Sequence, residues 1–146
     1  MTDTPTVPDY LRHIHVVLTR TSHPGNIGAA ARAMKTMGLS RLTLVAPNLM
    51  ATPMTPEPPA FDAAQAAAFR LPEESFILAS GARDVLEQAR IVATLDEALA
   101  DTVLSCALTS RRRDLSAPLH TPRELVPELL QAAQQGFQVA LVFGNE

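Results

Sequence analysis

Five short apolar runs, separated by stretches of helical or turn character, set the frame of this 146-residue chain. They are His15–Val16–Val17–Leu18–Thr19, Leu42–Thr43–Leu44–Val45–Ala46, Arg90–Ile91–Val92–Ala93, Val103 to Leu108 and Val139–Ala140–Leu141–Val142–Phe143. Runs this compact, several rich in β-branched residues, favour strands over helices. After the first run, Ile27, Ala30, Ala31, Met34 and Met37 recur at helical spacing as one stripe, with Asn26 as N-cap and Gly38 as the stop. The Ala-rich stretch 60–69 and the segment Pro72 to Ser80 predict two further helices. In the second, Pro72 stands in the first turn, Glu73 and Glu74 complement the dipole, and Gly81 ends the helix. Asp96–Glu97–Ala98–Leu99 predicts a short helix. Thr121 with Glu124 three residues later forms a capping box that opens another.

Strands alternating with helices imply an α/β domain with an open, mostly parallel sheet and helices on both faces, Val103 to Leu108 being a buried strand. Residues 1–12 read as a flexible N-terminal tail. Residues 47–59 hold five prolines and read as an irregular surface excursion, with an insertion around 51–60. No internal repeat is visible.

Composition narrows the class. Apolar residues make up 47%, aromatics only 4%, and there is no Trp, so the core is expected to be aliphatic and rich in Ala. One cysteine, Cys106, excludes an internal disulfide; a buried structural thiol is its expected state. With no signal peptide and no long apolar stretch, the expectation is a cytoplasmic protein without membrane association. A net charge of −3 argues against a protein that coats nucleic acid generally. The charge is unevenly spread, however: residues 1–50 carry five basic and two acidic side chains, and residues 51–110 carry three basic and nine acidic. A basic first third permits a phosphate-bearing partner. Eleven of the twelve basic residues are Arg, the side chain suited to bidentate phosphate contacts.

Candidate chemistry gathers where strands end, the position at which open α/β folds bind ligands. Residues 20–38 lead from the first strand through a polar, Gly-containing loop into a helix. Arg32 lies off the apolar stripe, one turn after Gly28, which leaves open space beside the guanidinium. It reads either as a site residue or as a solvated helix residue. Amides at that helix N-terminus suit an anion, and His23 is the site-adjacent histidine. The loop lacks Gly-Lys-Ser/Thr and Gly-x-Gly-x-x-Gly, which excludes a P-loop and a dinucleotide fingerprint. A second place is Thr109–Ser110–Arg111–Arg112–Arg113–Asp114 after the fourth strand, where hydroxyls and guanidinium groups suit a polar ligand or RNA backbone. A third is Phe143–Gly144–Asn145–Glu146, where Gly144 permits close backbone approach. His13, His15, His23 and His120 are scattered, and no metal site is expected.

The full run Thr21 to Gly38 closely resembles the first motif of the SpoU branch of the SPOUT methyltransferases, and most resembles its TrmJ-type tRNA 2′-O-ribose methyltransferases. Leu141-Val142-Phe143-Gly144-Asn145-Glu146 resembles the start of that family's second motif. The likeness covers residues 13–146. It implies a SPOUT-type Rossmann-like fold whose trefoil knot is incomplete here, the domain being truncated before the C-terminal knot. It also implies an S-adenosylmethionine-dependent, metal-free enzyme that methylates a ribose 2′-hydroxyl in tRNA, at nucleotide 32 of the anticodon loop. Carried over to this chain, Asn26 and Arg32 are catalytic. Thr109, Ser110, Arg111, Gly144 and Glu146 bind the methyl donor. Arg20, His23, Lys35 and Arg112 are the residues expected to touch substrate RNA. The family's members are homodimers, so a homodimer is expected, and this piece alone is expected to be inactive. Two rival readings remain: a non-catalytic RNA-binding module on the same fold, and a nucleotide-binding α/β protein unrelated to methylation.

Overall fold

The computed structural model describes residues 6–49, 60–109 and 117–144. All five expected strands form: β1 (Ile14–Thr19), β2 (Arg41–Val45), β3 (Arg90–Val92), β4 (Leu104–Leu108) and β5 (Val139–Phe143). They pair in the order β3-β2-β1-β5-β4, every pairing parallel. Six helices accompany them among the described residues: α1 (Pro24–Thr36), α2 (Ala63–Ala68), α3 (Glu73–Ala79), α4 (Arg83–Glu87), α5 (Leu95–Leu99) and α6 (Pro122–Gln134).

Alternation along each strand sorts side chains onto two faces. One face carries Ile14, Val16, Leu18, Leu42, Leu44 and Val139, and buries them against Ile27, Ala31 and Met34 of α1 and parts of α3, α4 and α6. The other carries Val17, Val45, Val92, Ala140 and Val142, packed with Ala98 and Leu99 of α5. Both faces therefore receive helices, very unequally. The core is aliphatic, as the composition required.

Several local expectations change. β4 is an edge strand, not a buried one, because only β5 pairs with it; Ser105 and Ala107 are exposed. Met37 falls beyond the end of α1 and is 60% exposed, so the stripe stops at Met34. Gly38 does turn the chain, with φ +78. Past Gly81 the chain continues into α4, and it is Ser80, at φ 51, that ends α3. The tail is tied down from Val7 onward. Asp9–His13 form a 3-10 turn whose Tyr10 and Leu11 pack on the core, and Val7 lies against Gly38.

His13 and His15 prove to be structural. Gln138 donates from Nε2 to His13 Nδ1 at 2.7 Å, and its Oε1 lies 2.7 Å from His15 Nε2. One amide thus ties β1 to the start of β5 at the end of the sheet opposite the strand C-termini.

Candidate active site at the carboxyl ends of the strands

From β1 the chain steps through β2 to β3 on one side, then crosses to β4 and returns to β5 on the other. The order reverses between β1 and β5, and the crevice beyond their carboxyl ends is where such sheets take ligands. Register places the rim. Leu18 pairs with Phe143, and Phe143 with Leu108. The next residues, Thr19, Gly144 and Thr109, therefore stand side by side on three adjacent strands. At about 4.8 Å per strand they span roughly 10 Å. Thr19 Oγ1 donates to the Phe143 carbonyl at 3.2 Å and closes the β1–β5 boundary. Among the described residues a Cβ on Gly144 would meet only Thr19 Oγ1, at 3.6 Å. Ser110, Arg111, Arg112 and Glu146 lie outside the described residues.

On the other side of Thr19, β1 and β2 end in residues with left-handed backbones, Arg20 at φ 54 and Ala46 at φ 42. The Arg20 amide donates to Val45 O at 2.8 Å and the Ala46 amide to Val92 O at 2.9 Å. Two strained non-glycine residues side by side are uncommon, and such strain concentrates at functional sites. They line a cleft of about 520 Å³ with Asn48, Phe61, Ala93 and Leu95. Neither Asn48 nor Phe61 stood out in the sequence. Asn48 reads as the end of a strand, and nothing in the local pattern distinguishes Phe61 from a core aromatic.

The motif loop itself behaves differently from its sequence reading. His23, not Asn26, occupies the N-cap, without a side-chain cap bond, because Pro24 opens the helix at its first position. Asn26 sits inside the first turn, exposed. Gly28 does not leave open space: a Cβ there would lie 2.2 Å from the Ser75 carbonyl oxygen, so Gly28 is where α3 crosses α1 backbone to backbone. Arg32 is exposed on α1, and its guanidinium has no partner among the described residues. Eight residues separate it from Pro24, about 12 Å down a helix that runs back from the strand ends. Lys35 is engaged, Nζ to Asp84 Oδ2 at 2.6 Å, and this holds the Asp84 carboxyl below its ordinary value.

Cys106 is half-buried on β4 and packs toward the core; burial pushes its thiol pKa up, away from nucleophilic character. Among the described residues no group of three or more His, Cys, Asp or Glu is placed to hold a metal. Nor is any of their helices long and apolar enough to cross a membrane.

The comparison with known proteins decides the family. Residues 13–146 match the model of the SpoU rRNA Methylase family. The chain belongs to the SpoU methylases. Among solved structures, a methylase family protein from Neisseria gonorrhoeae is 72% identical, with a TM-score of 0.85, over 98% of this chain and 66% of that one. TrmJ from Z. mobilis is 32% identical, with a TM-score of 0.67, over 89% of this chain and 48% of that one. A curated relative from Pseudomonas aeruginosa, named tRNA (cytidine/uridine/adenosine-2′-O-)-methyltransferase TrmJ, is 43% identical over 93% of this chain and 45% of its own length. This SpoU domain thus spans a little under half the length of that relative.

Proposed function

We propose that this chain is the methyltransferase domain of a cytoplasmic, homodimeric enzyme that uses S-adenosylmethionine to methylate a ribose 2′-hydroxyl in tRNA, at nucleotide 32 of the anticodon loop. The family match over residues 13–146 carries this reading. The rim at the β1–β5 crevice supports it. Thr109 and Gly144 stand level there, and among the described residues only Thr19 Oγ1 comes near the Gly144 backbone. Those two residues, with Ser110, Arg111 and Glu146, would hold the methyl donor, which supplies an electrophilic methyl group.

The chain's own part is to make a weak nucleophile competent. A ribose hydroxyl must lose or share its proton as it attacks, and the developing negative charge needs a fixed cation. An ordinary guanidinium is a poor base. Arg32 therefore orients the RNA phosphate and stabilises the forming alkoxide, and Asn26, in the first turn of the same helix, is the second catalytic residue. Arg32 lies well back from its own strand ends, which suits a site completed by a second copy. The exposed Ala29 and Ala33 of α1, with Met37 just past its end, give that region an apolar surface for the copy. Arg20 and His23 face RNA from the loop.

The test is transfer of labelled methyl from S-adenosylmethionine to tRNA by the complete protein, with Arg32→Ala beside it. Loss of about 10²–10³ in turnover is expected, the size of one charge-stabilising donor. Turnover within threefold of the parent would remove Arg32 from the mechanism. The RNA-binding alternative draws on the basic first third, and predicts tRNA binding with no calorimetric signal for S-adenosylmethionine.

A further inference from the structure

The cleft over β2 and β3 is not explained by methyl-donor binding, which belongs to the β5–β4 side. Its lining is largely apolar and includes Val45, Ala46, Ala93 and Leu95. One wall is Phe61, held edge-on by Phe69 with ring centroids 6.2 Å apart. At the rim stand Asn48, whose backbone amide is tied to Thr21 O at 3.0 Å, and Arg20. The Asn48 amide group and the Arg20 guanidinium have no partner among the described residues. Among the described residues no acidic side chain lines the cleft. That set favours a planar, anionic ligand over a sugar or a cation. An aromatic wall stacks a base, a primary amide reads its hydrogen-bonding edge, and a guanidinium takes its phosphate. The volume of about 520 Å³ lies inside the ~300–1,000 Å³ range of small-ligand sites.

Thr19 fixes the relation to the chemistry. It lines this cleft and also touches the Gly144 side of the crevice. A nucleotide whose ribose lies at the β1–β5 boundary therefore points its base over β2. We infer that the cleft receives the base of the nucleotide being methylated, unstacked from its RNA, and that Asn48 and Phe61 set which bases are accepted. This rests on the RNA methyltransferase reading above and assigns that site its specificity pocket. Phe61 supplies sequence-tolerant stacking, and Asn48 the edge contact. The left-handed backbones of Arg20 and Ala46 end β1 and β2 where the two residues line the cleft.

The test is a methyl NMR titration of the protein with cytidine, uridine, adenosine and guanosine 5′-monophosphates, and with inorganic phosphate alone. Expected are shifts at the Ala46, Ala93 and Leu95 methyls with at least one nucleotide and none with phosphate. Phe61→Leu should weaken binding about tenfold and Phe61→Tyr should restore it, since base stacking on an aromatic ring carries that much. Asn48→Asp, which exchanges donors for an acceptor, should reorder the four nucleotides. Both Phe61 variants keep a large apolar side chain, so an intact fold is checked by their unchanged spectra elsewhere. Equal shifts from inorganic phosphate would overturn the proposal, as would nucleotides leaving the cleft unmoved while tRNA still binds. Methyl transfer is scored separately on the complete protein: nucleotide binding in the cleft without transfer by the complete protein would overturn the enzyme reading and leave a nucleotide pocket standing.

Discussion

Gly28→Ala is the substitution whose outcome depends most directly on how the helices meet. A Cβ at residue 28 would stand 2.2 Å from the carbonyl oxygen of Ser75, 3.0 Å from the amide nitrogen of Ala79 and 3.1 Å from the carbonyl carbon of Leu78. All three are backbone atoms of α3, so no side chain can swing aside. Relief requires α3 to retreat by about 1 Å from α1, against Ser75 and Ala79, which are both fully buried. Overpacking of this kind costs about 3 kcal/mol. Ala returns about 1 kcal/mol through its better helix propensity. The net loss is about 2 kcal/mol, or roughly 6 °C in Tm for a chain of this size. Thermal and urea unfolding followed by circular dichroism measure it. Gly25→Ala is the control, one turn earlier on the same helix. There the new Cβ meets the flexible ends of two side chains, Leu78 Cδ1 at 2.7 Å and Glu74 Oε1 at 4.0 Å. That variant should fall within about 0.5 kcal/mol of the parent, because those side chains move away. A Gly28→Ala protein as stable as the parent would refute the close α1–α3 crossing.

Two further outcomes are expected. At Ala46, with φ 42, stability should follow the order Gly, then Ala, then Val, the Val variant losing about 2 kcal/mol in urea unfolding because a branched Cβ cannot tolerate that backbone; equal stabilities would mean the residue carries no strain. The Glu124 carboxylate accepts from Thr121 N at 2.7 Å and from Thr121 Oγ1 at 2.8 Å, which holds it below its ordinary value of 4.5. A depressed folded pKa stabilises above the ordinary value and is lost as pH falls through the folded one. Glu124→Gln should therefore flatten the decline in stability between about pH 5 and pH 3, and an unchanged acid profile would exclude the capping role.

Much of this protein was legible in one dimension. The five strands and the alternation with helices follow from short β-branched runs whose burial is dictated by local pattern. The Thr121–Glu124 box was visible for the same reason: its donor and acceptor are three residues apart. The motif from Thr21 to Gly38 was enough to point to the family. What depends on distant chain segments was not legible. Gly28 looked like space left for a guanidinium, because nothing in the local sequence shows that α3, nearly fifty residues on, crosses there. Asn26 looked like a cap because its side chain suits one, while Pro24 starts the helix two residues earlier. Val103 to Leu108 looked buried by composition, yet strand order puts it at the sheet edge. The row of Thr19, Gly144 and Thr109 exists only through parallel register, and the cleft of Arg20, Asn48 and Phe61 only through the meeting of three loops. Periodicity and propensity act between neighbours in sequence and determined the elements. Which elements touch, and so where a ligand has room, was decided by the tertiary packing of segments whose spacing along the chain carries no signal.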